Sequence, residues 1–152
     1  MQVISWNTYH DHVKKLDTKL RAKYPQAEKI NLIGIPRAGM LIALLLSYVD
    51  SEFYTVYSSD SSEFLHTSIE KPVVLIDDVL ETGATRDRYS RIWDAPLAVL
   101  FDKSSLYDIV PADVSTVYMT EKVWLQFPYE VMDQSEIKSM KEHGDYKVEE
   151  KA

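Results

Sequence analysis

A chain of 152 residues has the length of one domain. Its 17 Lys plus Arg against 24 Asp plus Glu, a formal charge of -7, argue against a nucleic-acid coat, which needs basic side chains to neutralise phosphates. The absence of Cys excludes disulfides, thiolate metal sites and Cys nucleophiles, and 45% apolar residues suit a soluble globule better than a disordered chain.

The N-terminus, MQVISWNTYHDHVKK, lacks the basic start and apolar core of a secretory signal, so a soluble protein of the cytoplasm is expected, with no membrane partner. Ser5 is placed to cap a first helix over 6–24, in which Tyr9, Val13, Leu16 and Leu20 share one face. Pro25 ends it. Residues 29–35 (KINLIGI) read as a buried strand, followed by a sharp turn at Pro36-Arg37-Ala38-Gly39. The stretch 40–48 is apolar nearly all round, which predicts a helix buried against a sheet.

A second strand is expected over 52–58, then a serine-rich polar loop over 58–71 that is long enough to be a lid. The run 72–76 (PVVLI) is a continuous apolar strand of the kind buried in parallel sheets. A helix over 84–93, a strand over 96–101 and another over 114–119 complete the pattern, and from Asp133 the chain is a charged tail. Alternating strands and helices predict an α/β fold with a mainly parallel central sheet flanked by helices, whose ligands bind beyond the carboxyl ends of the strands.

Those ends carry the chemistry. In Val73-Val-Leu-Ile-Asp-Asp-Val-Leu-Glu-Thr-Gly-Ala-Thr85 the apolar strand is expected to terminate in two adjacent carboxylates, Asp77 and Asp78. Glu81 follows, and then Thr82-Gly83-Ala84-Thr85 opens a helix. Backbone N–H groups of such a turn make a concave anion cradle, to which the Thr hydroxyls add donors. Asp77 and Asp78 can accept hydrogen bonds from vicinal ribose hydroxyls or hold Mg2+, directly or through water. A helix cap needs one acid or hydroxyl, so three acids beside an anion cradle point to a sugar-phosphate site. An aspartyl-phosphate phosphatase would need its two acids one residue apart. The Gly34-to-Gly39 spacing half-matches a nucleotide-triphosphate loop, but Met40-Leu41 stands where Lys and Ser or Thr are required.

The 73–85 segment resembles the phosphoribosyl-pyrophosphate (PRPP) motif of the type I phosphoribosyltransferases. Ile33-Gly-Ile-Pro-Arg-Ala-Gly39 is similar to that family's pyrophosphate loop, and Val123-Trp-Leu-Gln-Phe-Pro-Tyr-Glu130 to the purine-binding tail of its bacterial xanthine-guanine branch. The resemblance implies a fold with a small hood formed by the C-terminal segment. It makes residues 1–132 a phosphoribosyltransferase domain including that hood, with 133–152 as a charged C-terminal tail. It implies transfer of the 5-phosphoribosyl group from PRPP to a 6-oxopurine (xanthine, guanine or hypoxanthine) to give the nucleoside monophosphate and pyrophosphate, with Mg2+ and an oligomer of two or four copies.

Residue by residue, the resemblance implies that Arg37, Ala38, Gly39, Asp77, Asp78, Thr82, Gly83, Ala84 and Thr85 bind PRPP, with Asp78 on the metal. It makes Glu81, where the family usually has Asp, the catalytic base. Lys103 would donate to the exocyclic oxygen of a 6-oxopurine, Trp124 would stack on its face, and the Leu125 backbone would pair with its edge. Glu130 is a weaker metal candidate. Two departures stand out: Ala38 replaces a common Gly, and no Lys or Arg lies between Phe53 and Glu70 to close over pyrophosphate. Three readings follow: a purine enzyme, a type I enzyme for another base such as uracil or orotate, or a PRPP- or nucleotide-sensing regulatory module without catalysis. The four His residues fall outside the motifs and read as surface residues.

Overall fold

In the computed structural model, residues 1–61 and 68–132 are described. Residues 62–67 of the serine-rich loop, His66 among them, and the tail from Asp133 with His143 lie outside the described residues. The chain divides into two units, His12–Thr120 and the two chain ends, Met1–Asp11 with Glu121–Ala152.

The larger unit is built on a five-stranded, wholly parallel sheet. Its strands are β2 (Ile30–Gly34), β3 (Tyr54–Ser58), β4 (Val73–Leu80), β5 (Leu97–Asp102) and β6 (Val114–Tyr118), in the spatial order β3-β2-β4-β5-β6. Helix α2 (Ala38–Val49) joins β2 to β3, and α3 (Ala84–Trp93) joins β4 to β5. The two crossovers run in opposite directions from the centre. With right-handed connections, α2 and α3 therefore cover opposite faces of the sheet. Alternation along the strands supplies both cores. Ile33, Leu75, Leu97 and Val99 pack with Tyr89 and Trp93 of α3, while Leu32, Val74, Ile76, Ala98 and Leu100 are buried on the other side. A one-turn helix, α4 (Ser104–Tyr107), follows β5.

The smaller unit pairs β1 (Gln2–Val3) in parallel with β7 (Leu125–Gln126), and a 3-10 helix follows at Pro128–Met132. Phe127 and Tyr129 stack with ring centroids 5.5 Å apart, and both meet Tyr9 edge-on. Helix α1 (Trp6–Lys23) starts in this unit and ends in the other. Ser5 caps it as expected, its Oγ accepting the Thr8 N–H at 3.1 Å.

Three expectations need correction. The helix of 40–48 is buried on one side only: Ile42, Ala43 and Leu46 are inside, whereas Leu44, Tyr48 and Val49 are exposed. It lies flat on the sheet, so an all-apolar sequence still presents one face to the outside. His12 is half-buried and not a surface residue, with its Nδ1 3.1 Å from Thr116 Oγ1. The strand expected to end at the acids instead continues through Asp77 and Asp78 to Leu80. Among the described residues no helix is long and apolar enough to cross a membrane.

Candidate active site

The strand order places the point where the connections reverse between β2 and β4, and ligands of open α/β sheets bind in the crevice beyond that point. The sequence has put its two unusual loops on either side of it. β2 stops at Gly34, opposite Ile76, and the last bond between the two strands runs from the Ile35 N–H to the Ile76 carbonyl at 3.0 Å. β4 continues four residues further, paired only with β5 on its other side. The acids therefore lie on an exposed length of a central strand. Their carboxylates take over the missing ladder: Asp77 Oδ1 accepts the Asp78 N–H at 2.9 Å, and Asp78 Oδ1 accepts the Val79 N–H at 2.8 Å. Burial, followed by the charge of Asp78, pushes the Asp77 carboxyl up to about 8.

On the β2 side, Arg37 is exposed and, among the described residues, its side chain makes no hydrogen bond or ion pair. The Pro36-Arg37 peptide bond is cis. Helix α2 begins at Ala38 without a side-chain cap, so its first N–H groups keep their donor capacity. Gly39 brings that helix end onto β4 directly. A Cβ there would stand 2.1 Å from the Ile76 carbonyl oxygen and 3.2 Å from Asp77 Cα, so only glycine allows this approach.

On the β4 side, Gly83 adopts φ +83° and starts α3, again without a side-chain cap hydrogen bond to the helix. Thr82 Oγ1 lies 3.4 Å from the Ala84 N–H. Thr82, Ala84 and Thr85 are exposed. Lys103, at the end of β5, is 6% exposed despite its charge, and its Nζ donates to Glu81 Oε1 at 3.3 Å. Among the described residues this is its one partner, although an ammonium carries three N–H donors.

The larger unit thus brings Arg37, Ala38, Gly39, Asp77, Asp78, Glu81, Thr82, Gly83, Ala84, Thr85 and Lys103 to the carboxyl ends of β2, β4 and β5. Trp124 and Leu125 belong to the smaller unit, where the Trp124 carbonyl accepts the Gln2 N–H at 2.7 Å and Leu125 pairs with Gln2. Glu130 uses Oε2 to accept the Phe127 N–H at 2.9 Å. Sequence reasoning missed Asp102, which is 1% exposed and holds two backbone N–H groups beside Lys103, and Ser104, fully buried next to it. An acid directly before the lysine was the available signal.

Asp77 and Asp78 offer hard carboxylate oxygens, the donor type Mg2+ takes. Among the described residues no group of three His, Asp or Glu gathers. The donor set therefore fits an ion held mainly by phosphate oxygens and water, with one or two carboxylates, and not an all-protein cage. A cavity of about 1080 Å³ lies at the opposite, amino-terminal end of the central strands, between Tyr24, Lys29, Asn31, Pro72 and Pro96. It shares no residue with the crevice.

No family model matches the sequence, and no curated protein matches it. Solved structures do match the fold. A purine phosphoribosyltransferase from Pyrococcus horikoshii Ot3 is 21% identical, with a TM-score of 0.63 over 99% of this chain and 98% of that one. The xanthine-guanine-hypoxanthine phosphoribosyltransferase of Helicobacter pylori is 18% identical, with a TM-score of 0.65 over 93% of this chain and 99% of that one. A hypothetical protein from Neisseria gonorrhoeae, solved with bound ppGpp, is 19% identical, with a TM-score of 0.63 over 94% and 97%.

Proposed function

We propose that this chain, which has the type I phosphoribosyltransferase fold, transfers the 5-phosphoribosyl group of PRPP to a 6-oxopurine: xanthine, guanine or hypoxanthine. The products are the nucleoside monophosphate and pyrophosphate. The observation that carries the reading is the buried Lys103 ammonium, paired with Glu81 alone among the described residues, at the end of the strand beside the acids. A buried cation left with spare donors is costly unless a ligand supplies acceptors, and the exocyclic oxygen of a 6-oxopurine is such an acceptor.

In this reading the Thr82–Thr85 turn holds the 5′-phosphate on backbone N–H groups, and Asp77 and Asp78 hold the ribose hydroxyls. Arg37 and the uncapped start of α2 hold the pyrophosphate. Mg2+, held by Asp78 with Asp77 beside it, supplies positive charge to the departing pyrophosphate when bound. The bond from C1 of the ribose to pyrophosphate oxygen breaks as the bond to a purine ring nitrogen forms. Glu81 takes the proton that this nitrogen releases, and Lys103 keeps the carboxylate turned toward it. Trp124 and Leu125 carry their expected purine contacts as part of the proposal.

The test mixes protein, Mg2+ and PRPP with guanine, xanthine, hypoxanthine, adenine, uracil or orotate, and measures nucleotide and pyrophosphate. Turnover confined to 6-oxopurines is expected, and turnover with pyrimidines alone would overturn the reading. Glu81→Gln should lower kcat about 100-fold with little change in PRPP affinity, the scale of losing a general base. An unchanged kcat would remove Glu81 from that role.

Two observations favour a second reading, a PRPP- or nucleotide-binding regulator with little or no catalysis. The segment from Phe53 to Glu70 contains no Lys or Arg, and one structural neighbour was solved with bound ppGpp. Tight PRPP binding without turnover on any base would select it.

A further inference from the structure

Behind the phosphate turn, the third residue of α3 is an arginine. A cation in the first turn of a helix opposes the helix dipole, so Arg86 gains nothing from the helix that carries it. Its guanidinium instead crosses to the loop after α4, where Nη1 donates to the carbonyls of Val110 and, at 3.3 Å, Pro111. That same loop touches the turn. A Cβ on Gly83 would lie 3.1 Å from Ile109 Cδ1 and 3.4 Å from Arg86 Nη2, so both side chains press on the back of the glycine whose φ is +83°.

The far end of the loop is tied to β5. Asp102 Oδ2 accepts the Ala112 N–H, and its Oδ1 accepts the Ser104 N–H, both at 2.8 Å. Between these two anchors stands Lys103, whose own N–H donates to the Leu80 carbonyl at 2.8 Å. The loop over 108–112 is therefore a bridge: one end rests on the phosphate turn through Arg86 and Ile109, the other on the strand end that bears the purine lysine. Ile109 and Ala112 pack on the core, but Val110 between them is 72% exposed, so at Val110 and Pro111 the loop is held through its carbonyls.

We infer that Arg86 is a positioning residue for the sugar-phosphate site: it fixes the Thr82–Thr85 turn against the loop over 108–112 and does not itself act on the ligand. The inference rests on the reading of that turn as a phosphate site. Arginine suits the role because its planar guanidinium sets Nη1 on the two carbonyls while Nη2 lies against Gly83, two places that the single nitrogen of a lysine cannot hold at once.

Two measurements test it. In the ligand-free protein, Arg86→Met keeps the aliphatic stem and removes the donors. Amide hydrogen exchange should then speed up in residues 82–86 and 108–112 together, with the exchange of α1 and β2 unchanged. Faster exchange in the loop alone, or in neither segment, would overturn the coupling whatever the turn binds. In binding, the Kd of ribose 5-phosphate measured by calorimetry should rise about tenfold in Arg86→Met, the scale of a lost charged hydrogen bond. The KM for PRPP should rise equally while kcat moves less than about twofold, a split expected when binding is lost and the chemical step is kept. Arg86→Lys should recover only a small part of the affinity. Full recovery by lysine would overturn positioning in favour of simple charge. A parent protein that binds neither ribose 5-phosphate nor PRPP would overturn the phosphate reading itself, even if the exchange result holds.

Discussion

Two charged regions of the larger unit are built from similar residues and spend them differently. At the junction of α1, α2 and β3, Arg21 donates to Asp17 at 2.8 Å and Asp50 at 3.0 Å, and its guanidinium lies 4.1 Å above the Phe53 ring. The Tyr54 hydroxyl completes the group by donating to Asp17 at 2.6 Å. Each charge there faces an opposite one. Arg21 holds the Asp50 carboxyl below its ordinary value, and burial, reinforced by Asp17, raises the Tyr54 phenol. In the crevice between β2 and β4 the accounts are open. The Arg37 side chain has no partner among the described residues, the Lys103 ammonium has one, and burial beside Asp78 keeps a proton on Asp77 up to about 8. A fold that satisfies Arg21 so fully could have satisfied Arg37. Leaving the crevice unsatisfied marks it as the place where a ligand completes the charge balance.

The largest expected effect breaks the comparison at Arg37. Arg37→Ala should reduce kcat/KM for PRPP about 100-fold, since on the proposed reading it removes a charged donor to pyrophosphate where negative charge develops. Its Tm should stay within about 1 °C of the parent, as for an exposed side chain away from any packing. A variant that melts early and turns over normally would reverse the assignment, making Arg37 the structural arginine.

Asp77 sharpens the comparison through pH. Its carboxyl is pushed from 3.8 up to about 8 by burial and then by Asp78. The folded chain therefore keeps a proton that the unfolded chain releases, and stability falls as pH rises through that interval. Asp77→Asn removes the cost. The variant should be more stable than the parent, by an amount that widens from pH 5 to pH 8 and then levels off. A gain of about 1–2 kcal/mol at pH 8 would raise Tm by roughly 2–8 °C in a chain of this size. PRPP turnover should also fall, by less than in Arg37→Ala. Melting curves in metal-free buffer decide it: a gap that does not grow with pH would show that the crevice acids are already satisfied, as those around Arg21 are.

How much of this could be read from the residues depends on how local each cause is. Apolar runs located β2, α2, β4 and β5, and the one-sided spacing of Tyr9, Val13, Leu16 and Leu20 located α1, each to within a few residues. The motif residues were also visible, since Asp77-Asp78, Glu81 and the Thr82–Thr85 turn lie within nine consecutive positions. β1 and β7 were not legible: each has two residues, and they pair only with each other across the length of the chain. The strand was expected to stop at Asp77 because charge usually ends a buried run. It continues because β2 ends first and leaves room for the acids, which is a property of a different segment. The burial of Lys103 and the reach of Arg86 to Val110 and Pro111 were hidden for the same reason. Chemistry was written locally, and its support was not.

The smallest effect is expected at Arg21, and it tests the comparison from its satisfied side. Arg21→Met keeps a stem that can still cover Phe53 but deletes the hydrogen bonds to Asp17 and Asp50 and the cation above the ring. The Arg21 side chain is 40% exposed, so solvent already screens much of the attraction, and a loss of about 1 kcal/mol is expected. That corresponds to a Tm lower by roughly 2–4 °C. kcat/KM for PRPP at 25 °C should be unchanged, because among the described residues the side-chain hydrogen bonds of Arg21, Asp17, Asp50 and Tyr54 reach no residue of the crevice motifs. Asp17 would also lose its cation while keeping Tyr54, so the Asp17→Asn, Arg21→Met double variant should be no less stable than Arg21→Met alone. Non-additivity of that kind is the signature of one closed network. A loss of turnover in Arg21→Met without a loss of stability would mean that the satisfied charges also serve the site, and the division between the two regions would fail.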